Sequence, residues 1–171
     1  GVGAAAWAHA TQTEPHVLGI DVSQWALREA HWTYHFFNLR AHTRKEDACK
    51  ALQSSQQDAI LACYTFNELT EEKQEQALRT LTSLAKTGRA ILIVEPIAKQ
   101  ALPFWKTWAD KLKSEGGVAN EWAFNLDLPG PLALLDKASG LNHRRTKGRT
   151  IWIPPKKDTN DRNRGLYVNK A

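Results

Sequence analysis

Short apolar runs alternate with amphipathic stretches along most of this chain. The runs at 16–21, 58–66 and 89–95 have the length and the β-branched content of buried strands. Residues 25–40, 70–88 and 102–115 are long enough for helices, and the second has Thr70 at its N-cap and Gly88 at its stop. The ambiguous stretch from 44 to 52 predicts a short strand that closes at 46–47, followed by a helical turn. The pattern therefore predicts strands and helices in regular alternation.

This alternation predicts an α/β fold with a doubly wound, mostly parallel sheet that is covered by helices on both faces. After residue 117 the rhythm changes to a strand at 120–124, a short helix at 131–138 and a last strand at 149–153, which two prolines end. At 171 residues the chain is long enough for one ordinary core. We expect one domain over 1–155 and a basic C-terminal tail over 156–171.

The composition excludes several classes of protein. The two cysteines, Cys49 and Cys63, are too few for a disulfide framework and form no C-x-x-C pair for zinc or an iron–sulfur cluster. No apolar run approaches the roughly 18 residues of a membrane span, and the first residues lack the pattern of a secretory signal. We expect a soluble, cytoplasmic protein without membrane contact.

The net charge of +5 is concentrated at one end of the chain. Residues 141–171 contain nine Lys and Arg against two acids, a net charge of +7, so residues 1–140 carry −2. The basic cluster at 143–149 has the composition of a phosphate-binding surface and predicts a possible RNA contact through the C-terminal region. A solvated end of the chain is the favoured alternative, because no aromatic residues alternate with these cations.

The clearest candidate for chemistry is the glycine-rich beginning of the chain. Gly1, Gly3 and Ala6 satisfy the G-x-G-x-x-G/A pattern that lets backbone approach a nucleotide closely. Asp21 follows Gly3 by eighteen residues, near the roughly twenty that separate such a turn from an acid that binds ribose hydroxyls. The pattern favours a nucleoside ligand over a purely structural turn.

The same pattern occurs in dinucleotide enzymes and in adenosylmethionine enzymes. The chain contains no Tyr-x-x-x-Lys pair, which removes one common arrangement for hydride transfer. The segment after residue 120 predicts further strands at the end of the sheet, where a dinucleotide enzyme usually carries a substrate domain.

Over residues 1–153 these stretches resemble the class I S-adenosylmethionine-dependent methyltransferases. GVGAAAWA resembles the end of the first motif of that family, VLGIDVS the acid motif of the second strand and KEDA the third-strand position. DAILACYTFNEL resembles the fourth-strand motif and RAILIVEP the fifth strand, so that EWAF and RTIWI become the sixth strand and an antiparallel seventh. The family's first strand would precede Gly1, and the resemblance therefore implies a trimmed domain that lacks this strand.

The resemblance also implies the residues of a binding site for S-adenosylmethionine. The glycines would approach the methionine and the ribose, and Asp21 would hold the ribose hydroxyls. An acid after the third strand and the backbone amide that follows it would contact adenine. The end of the fourth strand would face the sulfonium. The residues implied are Gly1, Gly3, Asp21, Asp47, Ala48, Cys63 and Tyr64. Asn67 and Glu68 are the polar groups nearest the predicted reaction centre and are the candidate catalytic residues, although Glu68 fits equally well as an ordinary acid before a helix.

The acceptor of the methyl group is not readable from the sequence. The run YTFNEL followed by a helix and VEP is similar to methyltransferase-like factors associated with the small ribosomal subunit, but their cysteine cluster is absent. The Asn/Asp-Pro-Pro-Tyr/Phe motif of amine methylation is absent too. Two alternatives stay open: a non-catalytic module of the same fold that binds RNA or the ribosome, and an NAD(P)-dependent oxidoreductase.

Four further features have a structural interpretation. His31 and His35 are spaced for two metal ligands but lack a third, so we expect a packed or solvated pair and no metal site. We expect Trp105 and Trp108 in the core, and Glu95 either faces a substrate or ends its strand. The aromatic residues of the helix at 25–40 are expected to pack it onto the sheet: Trp25, Trp32, Phe36 and Phe37.

Overall fold

The computed structural model of the protein describes residues 1–97, 103–141 and 143–156, in which helices and strands alternate. The helices are α1 (Val2–Thr11), α2 (Gln24–Phe36), α3 (Ala48–Gln53), α4 (Glu71–Lys86), α5 (Trp105–Lys113) and α6 (Gly130–Ala138). The strands are β1 (Val17–Asp21), β2 (Ala41–Lys45), β3 (Ala59–Cys63), β4 (Ala90–Pro96), β5 (Val118–Asn125) and β6 (Arg145–Ile153).

The strands form two sheets. β1 and β2 pair in parallel as a two-stranded sheet, while the other four strands pair in the order β3-β4-β6-β5. β3 and β4 are parallel, whereas β6 runs antiparallel to both of its neighbours. The predicted α/β alternation and the antiparallel last strand are confirmed. The sheet is nevertheless mixed rather than mostly parallel, because α6 returns the chain so that β6 enters between β4 and β5 in the reverse direction.

β3 is shorter than the apolar run that predicts it. The strand ends at Cys63 because Tyr64 adopts a positive φ of 54°, which is incompatible with extended pairing. A 3₁₀ turn over Phe66–Glu68 follows directly. The segment from Tyr64 to Glu68 is called the β3–α4 turn below.

The core lies on one face of the four-stranded sheet, beneath α4 and α5. Ile91 and Ile93 of β4 are fully buried there against Leu81 and Leu112. Trp105 and Trp108 belong to the same cluster, which confirms the prediction for both. The pattern suggested burial of β4 on both faces, but Leu92 and Val94 on its other face are only half-buried.

The prediction for the aromatic residues of α2 is wrong. Leu27, Ala30 and Tyr34 are the buried residues of this helix, and they recur at the spacing of one helical face. Trp25, Trp32 and Phe36 fall on the opposite face and are 64%, 65% and 64% exposed, and Phe37 just beyond the helix is also exposed. The helix therefore packs through the face that carries Leu27, Ala30 and Tyr34. His31 and His35 are both exposed, so of the two expected arrangements, packed or solvated, the pair is solvated.

Some predictions fall outside the part of the chain that the structure describes. These are the start of the predicted helix at Leu102 and residues 157–171 of the predicted tail. At the end of the described residues, the Lys156 amide donates a hydrogen bond to the Gly88 carbonyl in the loop before β4. None of the helices within the described ranges combines the length and the apolar character needed to cross a bilayer.

Candidate functional site

The predicted site residues lie at the carboxyl ends of the parallel strands and at the start of α1. Asp21 ends β1, Asp47 follows β2, and Cys63 ends β3. The beginning of α1 lies close to both Asp21 and Cys63. In open α/β folds this edge is where ligands bind, since loops leave the strands there. The sheet topology therefore gathers residues that are more than sixty positions apart in the chain.

The two glycines lie against protein rather than against open space. A Cβ at Gly1 would come within 2.7 Å of the Ala30 Cα in α2. A Cβ at Gly3 would come within 2.8 Å of the Cys63 Sγ. Contacts this short exclude a side chain unless neighbours move, so glycine is needed at both positions for α1 to pack between α2 and β3. Close packing of α1 is thus a sufficient reason for the glycine pattern, and cofactor binding at these residues stays a prediction.

Asp21 presents an exposed carboxylate at the tip of β1. Its Oδ1 accepts a hydrogen bond of 2.7 Å from the Ser23 amide, and Ser23 in turn caps α2 by accepting from the Ala26 amide. The side chain is therefore oriented by the loop that follows it while remaining open to solvent. This is the placement that a ribose-binding acid requires, because hydroxyl groups must reach the carboxylate from outside.

Asp47 has a local partner for each of its carboxylate oxygens. Oδ1 accepts hydrogen bonds from the Cys49 and Lys50 amides and caps α3, in which Ala48 is the first residue. Oδ2 accepts a 2.7 Å hydrogen bond from the Lys73 Nζ of α4. The hydrogen bond from Lys73 lowers the pKa of the Asp47 carboxyl. The carboxylate thus joins α3 to α4, and the predicted contacts of Asp47 and Ala48 with adenine would have to coexist with this role.

Cys63 and Tyr64 are adjacent in the chain but differ in environment. Cys63 is half-buried against Gly3, and burial raises the pKa of its thiol, which keeps the sulfur protonated and poorly nucleophilic. Tyr64 is 54% exposed, and its amide donates to the Val94 carbonyl at 2.8 Å. A non-glycine residue in the left-handed region costs about 1–2 kcal/mol, and such conformations cluster at functional sites.

Asn67 and Glu68 form a polar pair in the β3–α4 turn. The Asn67 Nδ2 donates a 2.8 Å hydrogen bond to the Glu68 Oε1. Asn67 Oδ1 is buried without a partner in the described structure, whereas Glu68 is exposed. The structure brings the two candidate catalytic residues into contact, so that a ligand near the end of β3 would meet them as one unit.

Glu95 was left undecided by the sequence and has the most specific environment at this edge. Its side chain is completely buried, and Oε1 accepts a 2.9 Å hydrogen bond from the Phe66 amide. Burial raises the pKa of the Glu95 carboxyl, and hydrogen bonding from the backbone of Phe66, Thr65 and Asn67 acts in the opposite direction. The sequence contains a signal for this residue. Glu95 follows Ile91 and Ile93 at the two-residue spacing of one strand face, so an acid occupies a position where the pattern predicts a buried apolar residue.

The predicted basic cluster is only partly available to a partner. Arg149 is 7% exposed, with its guanidinium over the Trp105 ring and its Nη2 3.7 Å from the Glu121 Oε1. His143 is hydrogen-bonded to Asp136 through both its amide and its ring. Exposed cations remain at the start of β6, namely Arg144, Arg145 and Lys147.

A cavity of about 420 Å³ separates the two sheets. Leu18 and Ile20 of β1 line one side, and Ile60 and Leu61 of β3 line the other, with α3 as the floor. In the described residues, β1 hydrogen-bonds only to β2 and β3 only to β4, so each strand leaves one edge facing this cavity. The same residues contain no group of three or more His, Cys, Asp or Glu side chains arranged for a metal ion.

Comparison with known proteins gives one family and a set of similar structures. A family model described as a methyltransferase domain matches residues 1–88. TehB from Haemophilus influenzae is similar in structure with a TM-score of 0.59 at 16% identity, covering 90% of this chain and 62% of TehB. A precorrin 8w decarboxylase from Methanobacterium thermoautotrophicum gives a TM-score of 0.53 at 16% identity, covering 81% of this chain and 69% of that protein.

A SAM-dependent methyltransferase from Archaeoglobus fulgidus gives a TM-score of 0.50 at 13% identity, covering 87% of this chain and 91% of that protein. At these identities the likenesses establish the fold. This chain spans less than two thirds of the length of TehB. Comparison with curated protein sequences gives no match.

Proposed function

We propose, because this chain belongs to the methyltransferase-domain family, that it binds S-adenosylmethionine and transfers its methyl group to an acceptor. The observation that carries the proposal is the exposed Asp21 carboxylate at the tip of β1, oriented by Ser23 and close to the start of α1. An acid in this position accepts hydrogen bonds from both ribose hydroxyls of an adenosyl group. The remaining predicted residues lie along the same edge.

The chemistry needs little from the protein beyond positioning. In methyl transfer the acceptor atom forms a bond to the methyl carbon while the bond from that carbon to sulfur breaks, and the sulfonium leaves as a neutral thioether. Holding the two partners in line accounts for most of the acceleration, and a base is needed only for an acceptor that must lose a proton. We assign Asn67 and Glu68 to the acceptor side of the site. Asn67 would form a hydrogen bond to the acceptor, and the Glu68 carboxylate would be the base that accepts a proton.

The cavity between β1 and β3 has the edge of one strand on each side. We propose that residues outside this sequence, upstream of Gly1 in a longer protein, supply a strand parallel to both. The support is that β1 and β3 each have one unpaired edge toward the same cavity in the described structure. A strand placed there would join the two sheets and would satisfy backbone groups that are otherwise left without partners.

The first test is calorimetric titration of S-adenosylhomocysteine, with NADH as the competing ligand. We expect micromolar binding of S-adenosylhomocysteine and none of NADH, and loss of that binding in Asp21→Ala. Asp58→Ala is the matched control, because Asp58 is an exposed acid directly before β3, at the opposite end of the strand. The titration is run on this chain and on a longer version with upstream residues, and binding by the longer version alone would support the added strand.

Two outcomes contradict the proposal. NADH binding in preference to S-adenosylhomocysteine would favour the oxidoreductase. Binding of neither ligand, together with salt-sensitive binding of single-stranded RNA, would favour the non-catalytic module, with the exposed Arg144, Arg145 and Lys147 as the phosphate-binding cations.

A further inference from the structure

A buried acid holds the turn that carries the candidate catalytic residues. Glu95 is completely buried on the core face of β4, where the alternation of the strand otherwise places Ile91 and Ile93. An apolar residue at this position would extend the core without the cost of desolvating a carboxylate. A glutamate is therefore explained at this position only if its carboxylate accepts hydrogen bonding that an apolar residue could not. The β3–α4 turn supplies that hydrogen bonding.

The contacts of Glu95 are directed at one stretch of backbone. Oε1 accepts a 2.9 Å hydrogen bond from the Phe66 amide. Burial raises the pKa of the Glu95 carboxyl, and the neighbouring Thr65 and Asn67 amides lie near enough to the carboxylate to lower it. These amides belong to the first residues of a 3₁₀ turn, where backbone N–H groups have no partner within the turn itself. The carboxylate supplies that partner from a neighbouring strand, so the position of the turn follows the position of β4.

The rest of the turn is tied to the same framework. The Tyr64 amide donates to the Val94 carbonyl at 2.8 Å, one residue before Glu95 in β4. The buried Gln74 of α4 donates its Nε2 to the Phe66 and Leu69 carbonyls at 3.0 and 3.1 Å. The Phe66 side chain is buried with its ring 4.8 Å from that of Trp108. Glu95 thus completes a set of contacts that holds the backbone of the turn, while the side chains of Tyr64 and Glu68 are exposed and that of Asn67 is half-buried.

We propose that Glu95 is a positioning residue, whose buried carboxylate fixes the β3–α4 turn so that Tyr64, Asn67 and Glu68 stand at the ligand-binding edge. The consequence for a ligand at this edge rests on the proposed function, whereas the fixing of the turn does not. Arg149 faces Glu95 across the β4–β6 pair in register and has its ion pair with Glu121. One oxygen, Oε2, stays buried without a partner in the described structure.

The test compares Glu95→Ala and Glu95→Gln by amide hydrogen exchange and by titration of S-adenosylhomocysteine. Glu95→Ala removes the acceptor, so we expect the amides of residues 65–67 to exchange roughly tenfold faster or more. Glu95→Gln keeps an acceptor oxygen and the shape of the side chain, so we expect a smaller increase at the same amides. Affinity for S-adenosylhomocysteine should follow the same order, with the glutamine variant close to the wild type.

Glu121→Gln is the control, because it neutralises an exposed acid that also lies beside Arg149 but does not touch the turn. Faster exchange spread equally over β4, β6 and the turn, or no change at 65–67, would overturn the proposal. If the alanine variant does not fold, the glutamine variant tests the proposal: faster exchange confined to the amides of residues 65–67 supports it, and faster exchange elsewhere as well contradicts it. If the wild type does not bind S-adenosylhomocysteine, the proposed function fails, and the exchange pattern still decides whether Glu95 holds the turn.

Discussion

At the carboxyl edge of the parallel strands, where we propose that the ligand binds, packing against neighbours can explain a residue's identity as well as chemistry can. Gly3 illustrates this, because a methyl group at its position would meet the Cys63 Sγ at 2.8 Å and the Leu61 side chain at 3.4 Å. A glycine pattern that resembles a nucleotide-binding turn is therefore also a packing requirement between α1 and β3. The two explanations make different predictions for substitution.

Gly3→Ala is expected to destabilise the fold by about 1 kcal/mol. Alanine improves helix propensity by up to about 1 kcal/mol, but overpacking against Cys63 and Leu61 costs about 1–3 kcal/mol. In a Cys63→Ala background the nearest contact is removed, so the same substitution should become neutral or stabilising. Urea denaturation of the four proteins measures this coupling, and an equal effect of Gly3→Ala in both backgrounds would contradict the packing explanation.

Two of the helices, α2 and α3, are capped at their amino-terminal ends by side chains from the loops that precede them. Asp47 is the clearest case, since its carboxylate caps α3 and binds the Lys73 ammonium of α4. The cap depends on the oxygen alone, whereas the contact with Lys73 depends on the charge. Substitution can separate the two contributions.

Asp47→Asn keeps an acceptor for the cap and removes the charge. The pKa of Asp47 is lowered in the folded protein, mainly by the hydrogen bond from Lys73, so ionisation stabilises the fold above the unfolded pKa of about 3.9. That stabilisation is lost as the pH falls through the folded pKa. We expect the wild type to have the higher urea midpoint at pH 7 and the difference to be smaller at about pH 3, closing fully only below the folded pKa.

Asp47→Ala supplies the control for the cap. Its loss of about 1 kcal/mol of helix capping should persist at both pH values, because asparagine and aspartate cap α3 and alanine does not. A wild-type advantage over Asp47→Asn that does not change with pH would show that the Lys73 contact is not electrostatic.

At the scale of the whole molecule, stability is distributed unevenly between the two sheets. The main buried cluster includes residues of α3, β3, α4, β4, α5 and β6, and none from β1 or β2. No residue of β1 or β2 is fully buried. The proposed ribose-binding acid Asp21 therefore lies on the less secured of the two sheets.

Native-state hydrogen exchange should reveal this division. We expect the amides of β1 and β2 to exchange at least roughly tenfold faster than those of β4 and β6, through an opening that leaves the larger sheet intact. Exchange of all four strands with one common free energy would contradict this prediction. A ligand that bridges Asp21 and the β3–α4 turn should slow the exchange of β1, because it would connect the two sheets.

The sequence by itself determined the order and type of the elements, and through them the placement of the candidate site residues near the carboxyl ends of the strands. Apolar periodicity and end signals such as Ser23, Thr70 and Gly88 act over a few residues, so they are readable without knowledge of the fold. The resemblance placed Asp21, Asp47 and Cys63 at strand ends; Asp21 and Cys63 end β1 and β3, whereas Asp47 follows β2 and caps α3.

Only the tertiary structure decided the arrangement of the sheets and the environment of each side chain. The division into two sheets, the exposure of Trp25 and Trp32 and the burial of Arg149 depend on which faces meet, and residues distant in sequence set that. Glu95 is the clearest example: as a strand residue it could end β4 or face a ligand. Its contact with the Phe66 amide, twenty-nine residues away, exists only because β3 and β4 pair side by side.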